Sequence, residues 1–251
     1  MKIQFSILML IGVIIFNSCQ SKKEKTNNNT ISVIQQPSKS FVYGIDISHY
    51  QNNEIDSIIK YNDSLDYIIC KATEGVTYTD PKFLQNWKMI KENKFLRGAY
   101  HFYRTADDPL TQATFFLDAI SDIESTDIPP IIDFEEGGID KTQSVDTIQS
   151  TLQIFLNEIE GKSKSKPIIY TDLTTANKYL NKAVFSDYPL WIANYNGKES
   201  PDIPETWKNK GWLIWQRYST YPINGVSNDF DIFNGSLVEL KAFIKNSSSK
   251  K

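Results

Sequence analysis

Short apolar runs recur from residue 41 onwards, and their spacing predicts the fold. FVYGIDIS (41–48), DYIICKAT (66–73), LRGAYHFY (96–103), PPIIDFEE (129–136), KPIIYTD (166–172), PLWIANY (189–195), WLIWQRYS (212–219) and the weaker NDFDIF (228–233) have the length and near-continuous hydrophobicity of buried parallel strands. Between them the apolar spacing turns helical. Asn53 to Tyr61 carries Ile55, Ile58 and Ile59. Asp80-Pro81 opens a segment reaching Asn93, with proline in the first turn and Phe83, Leu84, Trp87 and Ile90 on one side. Asp108-Pro109 opens another, with Ala113, Phe116, Leu117 and Ile120 inward. Ser144 to Glu160 is the longest, Thr174 to Val184 is shorter, and Ser236 to Ile244 closes the series. Gly197 to Gly211 shows no long apolar stripe, and Thr220 to Ser227 reads as a loop.

Alternating strands and helices predict a parallel sheet. Eight strands in residues 41–245 predict an α/β fold: a TIM-like (β/α) barrel with eight strands and about five barrel helices, the last helices missing. An open doubly wound sheet is the alternative, but no glycine-rich phosphate loop follows the first strand.

The flanks have another pattern. Lys2 precedes an apolar run from Phe5 to Phe16, broken by Ser6 and Gly12, which is signal-peptide length and too short to span a bilayer comfortably. Asn17-Ser18-Cys19 resembles the lipobox of bacterial lipoproteins, although Phe16 and Asn17 depart from its commonest form. The resemblance implies that residues 1–18 are a signal peptide and that Cys19 carries lipid, which would hold an exported protein to a membrane. An ordinary cleaved signal or a short anchor is the alternative. Residues 19–40, rich in Lys, Asn, Ser and Gln, read as a flexible linker, and 246–251 as a disordered tail.

Composition then narrows the chemistry. The 251 residues carry 27 basic and 30 acidic side chains, for a formal net charge of -3, with 2 histidines and 2 cysteines. That balance argues against nucleic-acid binding through phosphate neutralisation. No CxxC pair exists, and two histidines make a poor metal site, so neither a metal nor an organic cofactor is implied. Cys70, inside an apolar run, reads as a small buried core residue.

In an α/β barrel the active site forms at the C-terminal ends of the strands. Those ends hold Asp46 and Ser48; Lys71 and Glu74; Tyr100, His101 and Tyr103; Asp133, Glu135 and Glu136; Tyr170 and Asp172; Trp191, Asn194 and Tyr195; Trp215 and Gln216; and Asp229 and Asp231. The sharpest feature is Asp133-Phe134-Glu135. Residues i and i+2 of a strand share a face, with Cα atoms about 6.6 Å apart. Burial and repulsion in such a pair raise one carboxyl's pKa and keep it protonated near neutrality. Glycoside cleavage needs that arrangement: one acid to protonate the leaving oxygen and one carboxylate to orient, stabilise or attack. The plainer reading is a chance DxE on a solvated loop, which the preceding Pro-Pro-Ile-Ile disfavours. Trp191, Trp215, Tyr100 and Tyr195 would suit stacking on sugar C–H faces, or each is core, as Phe102 and Phe134 are expected to be. His101 fits a positioning role in the pocket, and no GxSxG elbow supports a serine hydrolase.

In chain order, Asp46-Ile-Ser48-His-Tyr-Gln51, Lys71-Ala-Thr-Glu74-Gly75, Asp80-Pro81-Lys-Phe83-Leu-Gln-Asn86, Gly98-Ala-Tyr100-His101-Phe102, Asp133-Phe-Glu135, Leu190-Trp191-Ile-Ala193 and Trp215-Gln216 resemble the family 25 glycoside hydrolases, the Chalaropsis-type lysozymes. The resemblance runs from Val42 to about Gly235. It implies an N-acetylmuramidase that cuts the β-1,4 link from N-acetylmuramic acid to N-acetylglucosamine in peptidoglycan. Glu135 would be the general acid, Asp133 would assist the substrate acetamide, and Asp46 and a late aspartate would complete the carboxylate ring. The late pattern resembles D-x-N-x-F-N-G, which places Asp229 on the aspartate and Asp231 on the asparagine, with Asp231 kept as the alternative. Arg217 departs from the family, where tyrosine often follows the glutamine. Tyr100, His101, Glu74, Tyr170, Trp191, Asn194, Trp215 and Gln216 are the expected substrate-binding residues. The expected partners are peptidoglycan strands and, through the lipid, a membrane, with the protein a monomer in the cell envelope. A non-catalytic glycan-binding module and a hydrolase of another N-acetylated glycan such as chitin remain the alternatives.

Overall fold

The computed structural model describes residues 41–50, 58, 64–223 and 226–247. The expected signal peptide, Cys19 lipid site and linker lie outside the described residues, as do 248–251 and all of the expected helix at 53–61 except Ile58, which is helical and buried.

The strands are β1 (Val42–Ile47), β2 (Tyr67–Glu74), β3 (Tyr78–Thr79), β4 (Leu96–Phe102), β5 (Ile131–Asp133), β6 (Ile168–Asp172), β7 (Leu190–Ala193), β8 (Ile214–Ile223) and β9 (Val226–Phe233). The helices are α1 (Phe83–Glu92), α2 (Pro109–Ala119), α3 (Val145–Ser163), α4 (Leu173–Tyr179) and α5 (Leu237–Ser247). Pairing runs β1-β2-β4-β5-β6-β7-β8-β9 and returns to β1, which closes an eight-stranded TIM-like barrel; β3 is a short antiparallel addition to the end of β2.

Strand order matches the sequence pattern, but one direction does not. β9 is antiparallel to both β8 and β1. Without a crossover helix after β8, the chain can only turn back and pair antiparallel. The expected loop at 220–227 is therefore largely strand: β8 continues to Ile223 and β9 starts at Val226. Thr220, Tyr221, Ile223 and Val226 are residue types that favour a pleated backbone.

Helix starts follow capping chemistry. Asp108 accepts from Thr111 N at 2.8 Å ahead of Pro109, Ser144 accepts from Thr147 N at 3.1 Å, and Asp172 accepts from Thr174 N at 2.8 Å. The first of the described helices differs from expectation. The Asp80 carboxylate accepts from Lys82 N at 2.9 Å and from His49 N at 3.0 Å, so residues 80–82 turn and α1 starts at Phe83. At the other end α5 extends past Lys245 to Ser247, whose hydroxyl donates to Phe243 O at 2.8 Å.

The period of two divides every barrel strand. Outward residues such as Ile45, Ile68, Cys70, Ile132, Phe134, Ile169, Ile192 and Ile232 pack against Phe83, Trp87, Phe116, Leu152 and Phe155. Inward residues Val42, Tyr67, Ile69, Ile131, Ile168, Ile214 and Phe233 fill the lower barrel, with Leu240 and Ile244 of α5 packed on them. Each fully buried aliphatic or Phe side chain contributes roughly 1.5–3 kcal/mol. Tyr67 spans the interior because Gly44 leaves room: a Cβ there would lie 2.2 Å from the Tyr67 ring.

Candidate active site

The same inward parity, followed toward the C-terminal ends of the parallel strands, changes from apolar to charged. Val42 and Gly44 lead to Asp46 and Ser48; Tyr67 and Ile69 lead to Lys71; Gly98 leads to Tyr100 and Phe102; Ile131 leads to Asp133 and Glu135; Ile168 leads to Tyr170; and Ile214 leads to Gln216. On the reversed β9, Asp229 arrives from the opposite direction. With Tyr50, Trp191 and Tyr195, these side chains line an open pocket of about 270 Å³.

Four pocket carboxyls are forced to hold protons more tightly than usual. Burial, and then the neighbouring Glu135, push Asp133 well above the ordinary carboxylate range, with Lys71 opposing. Asp133 is buried, and its Oδ1 has no hydrogen-bond partner. Burial and the charge of Asp172 raise Glu135, again with Lys71 opposing. Burial and Asp229 raise Asp46 well above its usual value. Burial and Glu135 push Asp229 up to about 6. A raised pKa lets a carboxyl keep its proton at higher pH than a free one, which is what a general acid requires.

Fixed donors hold the rest of the wall. Gln216 Nε2 donates to Asp46 Oδ2 at 2.6 Å. The Gln216 carbonyl accepts from Tyr170 OH at 2.9 Å and from Tyr195 OH, which fixes the amide's orientation. Lys71 Nζ donates to Glu74 Oε2 at 2.6 Å, and Arg104 Nε donates to Glu74 Oε1 at 2.9 Å. Burial alone would raise Glu74, but these two cations hold it below its ordinary value.

Of the residues expected in the site, Asp46, Asp133, Glu135, Asp229, Tyr100, Tyr170, Trp191 and Gln216 come together around this pocket. Asp231 lies one inward position deeper and is fully buried, with Oδ1 accepting from Trp191 Nε1 at 2.9 Å. Trp191 is 2 % exposed, so it serves as floor more than as a stacking platform. Glu74 stands behind Lys71. His101 does not face the pocket. It occupies an outward position of β4, where Thr73 Oγ1 lies 2.8 Å from Nδ1 and Gln112 Oε1 lies 3.2 Å from Nε2, between the rings of Phe116 and Phe155. Burial drops its pKa to about 4, so it is a neutral core residue. Trp215 also faces outward, into the layer beneath the helices, and donates to Asn194 O at 2.8 Å; Asn194 Oδ1 accepts from Asp202 N at 2.9 Å. These two brace the loop after β7 and lie outside the pocket lining.

Tyr50 and Phe102 are lining residues without a signal strong enough to single them out. Strand parity was the available clue for Phe102: if Tyr100 points inward, Phe102 must follow. Its ring lies 4.9 Å from Lys71 Nζ. Arg217, the sequence departure, donates to Lys198 O at 3.2 Å and lies over the Trp215 and Tyr218 rings, outside the lining.

Comparison with known proteins gives a consistent answer. A model of "Glycosyl hydrolases family 25" matches residues 45–226. The chain is 32% identical over 219 residues to the uncharacterized protein YegX of Escherichia coli (strain K12), covering 84% of this chain and 76% of that one. It is 28% identical over 227 residues to Lysozyme M1 of Streptomyces globisporus, covering 83% and 73%. The structure is also similar to the crystal structure of a bacterial lysozyme from Streptomyces coelicolor, with a TM-score of 0.71 at 26% identity, covering 84% of this chain and 100% of that one.

Proposed function

The chain belongs to glycosyl hydrolase family 25, and from that premise we propose an N-acetylmuramidase that cleaves the β-1,4 bond between N-acetylmuramic acid and N-acetylglucosamine in peptidoglycan. The observation that carries the reading is the Asp133–Glu135 pair, both members lining one pocket and both raised by burial. Glu135 is the less buried of the two and holds a proton for the glycosidic oxygen. As that bond breaks, the acetamide oxygen of the muramic sugar bonds to the anomeric carbon, with Asp133 steering the acetamide nitrogen. Water then opens the ring so formed, and the Glu135 carboxylate takes its proton. Asp46 and Asp229 complete the ring of carboxyls around the developing positive charge. Tyr100, Tyr170, Tyr195 and Phe102 offer aromatic surface to the sugar rings.

The test is Glu135→Gln. Release of reducing ends from peptidoglycan is expected to fall by about 10²–10⁴-fold, with the unfolding transition retained. Near wild-type release by this variant would refute the assignment of the acid. Mass spectrometry fixes the bond: muramic acid at the new reducing end supports the reading, and glucosamine-ended fragments point to another N-acetylated glycan. In the same proposal Cys19 carries lipid and residues 19–40 tether a monomeric catalytic domain in the cell envelope. Cys19→Ala should then release the protein from membranes, and continued membrane fractionation would exclude the anchor.

A further inference from the structure

Asp231 is a buried acid that the proposed reaction leaves unused. It is 0% exposed, and its Oδ1 accepts from Trp191 Nε1 at 2.9 Å. No donor reaches its Oδ2. In the β1–β9 ladder Asp231 sits opposite Gly44, one inward position deeper than Asp46, so the two carboxyls are neighbours on the same interior face, and Asp46 already accepts from Gln216 Nε2 at 2.6 Å. Two carboxylates cannot hydrogen-bond to each other, because each has only acceptors; a bond between them requires one proton. A buried oxygen with no donor is costly as an anion and satisfied as an O–H.

The surroundings decide which of the two carries the proton. Asp46 has a donor in Gln216 and borders the open pocket, whereas Asp231 is 0% exposed. The groups acting on Asp231 are Asp46 on β1, Asp229 on its own strand and the indole of Trp191 on β7, with no cation among them. From β2, the buried Tyr67 hydroxyl, itself without a partner, lies close enough to feel its charge. β8 presents Gln216 opposite Asp231 in the ladder. An uncharged acid therefore fits at Asp231 better than at Asp46.

We propose that Asp231 is a positioning residue that stays protonated, donating its O–H to Asp46 and so holding Asp46, together with Gln216, in one fixed orientation at the pocket wall. Donors then converge on Asp46 from two sides, Trp191 to Asp231 to Asp46 and Tyr170 to Gln216 to Asp46. This deepens the muramidase reading and rests on it only for the kinetic part of the test.

Asparagine is the diagnostic replacement. It keeps an acceptor for Trp191 and an N–H donor for Asp46 but has no proton to lose. Folding raises the affinity of Asp231 for its proton, so the wild type loses stability as pH rises from the unfolded carboxylate value toward the folded one. Unfolding midpoints of the full chain and of Asp231→Asn, measured from pH 4 to 8, should separate progressively in favour of the variant, by several degrees at the upper end. A constant or shrinking separation overturns the proposal, whatever substrate the enzyme cuts. On peptidoglycan, Asp231→Asn should exceed Asp231→Leu by about tenfold or more in kcat. Equal loss in both would mean that the site needs a charge there, which also overturns it. Failure of the wild type to release reducing ends would instead count against the muramidase reading.

Discussion

The barrel buries charge in two places, and it treats them in opposite ways. Near the start of β4, Arg97 and Asp127 are 2 % and 7 % exposed and form a bidentate pair, Nε to Oδ1 at 2.9 Å and Nη2 to Oδ2 at 3.0 Å. Asp127 Oδ2 also accepts from Glu124 N at 2.8 Å, and the guanidinium lies 3.7 Å from the Trp87 ring centroid. Every formal charge there has its counter-charge. At the other end of the barrel, Asp46, Asp133, Glu135 and Asp229 share a pocket whose lining includes one cation, Lys71, and Asp133 Oδ1 has no partner. The first cluster is built for stability. The second is under-compensated, so its protons are held tightly, which is useful for chemistry and costly for folding.

The sharpest way to break this comparison is to neutralise one acid in each cluster. Asp133→Asn should cut peptidoglycan cleavage by about 10²-fold or more while the unfolding midpoint holds or rises, because a repelled carboxylate is removed. Asp127→Ala should act in reverse. It strands Arg97 and should lower stability by about 3–5 kcal/mol in denaturant titration, with the remaining folded fraction still active. A loss of stability in Asp133→Asn as large as that in Asp127→Ala would erase the distinction.

A smaller effect is expected in pH dependence. Asp229 has its pKa raised to about 6 by burial and Glu135. The folded state therefore binds its proton more tightly than the unfolded state. The stability this gives is present below the unfolded value and is lost as pH rises through about 6. The gap in unfolding midpoint between Asp229→Asn and wild type should grow from pH 4 to about 6 and then level off. A flat gap across that range would show that Asp229 is solvated and outside the shared field.

The smallest expected signal comes from the outer layer. Cys70 is the free cysteine among the described residues, and burial pushes its thiol well above the usual range. A thiol reagent should leave it unmodified in the native protein and react fully after denaturation; rapid native labelling would mean that β2 is less tightly covered than its packing implies.

Much of this was legible in the chain. The apolar runs located all eight barrel strands, because a strand covered on both faces must be apolar along most of its length. Asp133 and Glu135 could be placed on one face because a strand repeats every two residues. Phe102, His101 and Trp215 mark where that reasoning stopped. In Tyr100-His101-Phe102 all three side chains are plausible for either face, and only the register of β4 against β2 and β5 sends His101 to the helices and Phe102 to the pocket. The reversal of β9 was invisible for a similar reason. A short strand of mixed polarity carries no mark of direction, and direction follows from the missing crossover helix.

The sequence by itself determined that carboxylates and aromatics would collect at strand ends around an acid pair, because periodicity and local capping act within one segment. Only the closed barrel decided which of them share a pocket. Asp46 and Gln216 are 170 positions apart and meet at 2.6 Å because the sheet closes on itself, and the fields that raise the pocket carboxyls' pKa values exist only after that closure has removed water.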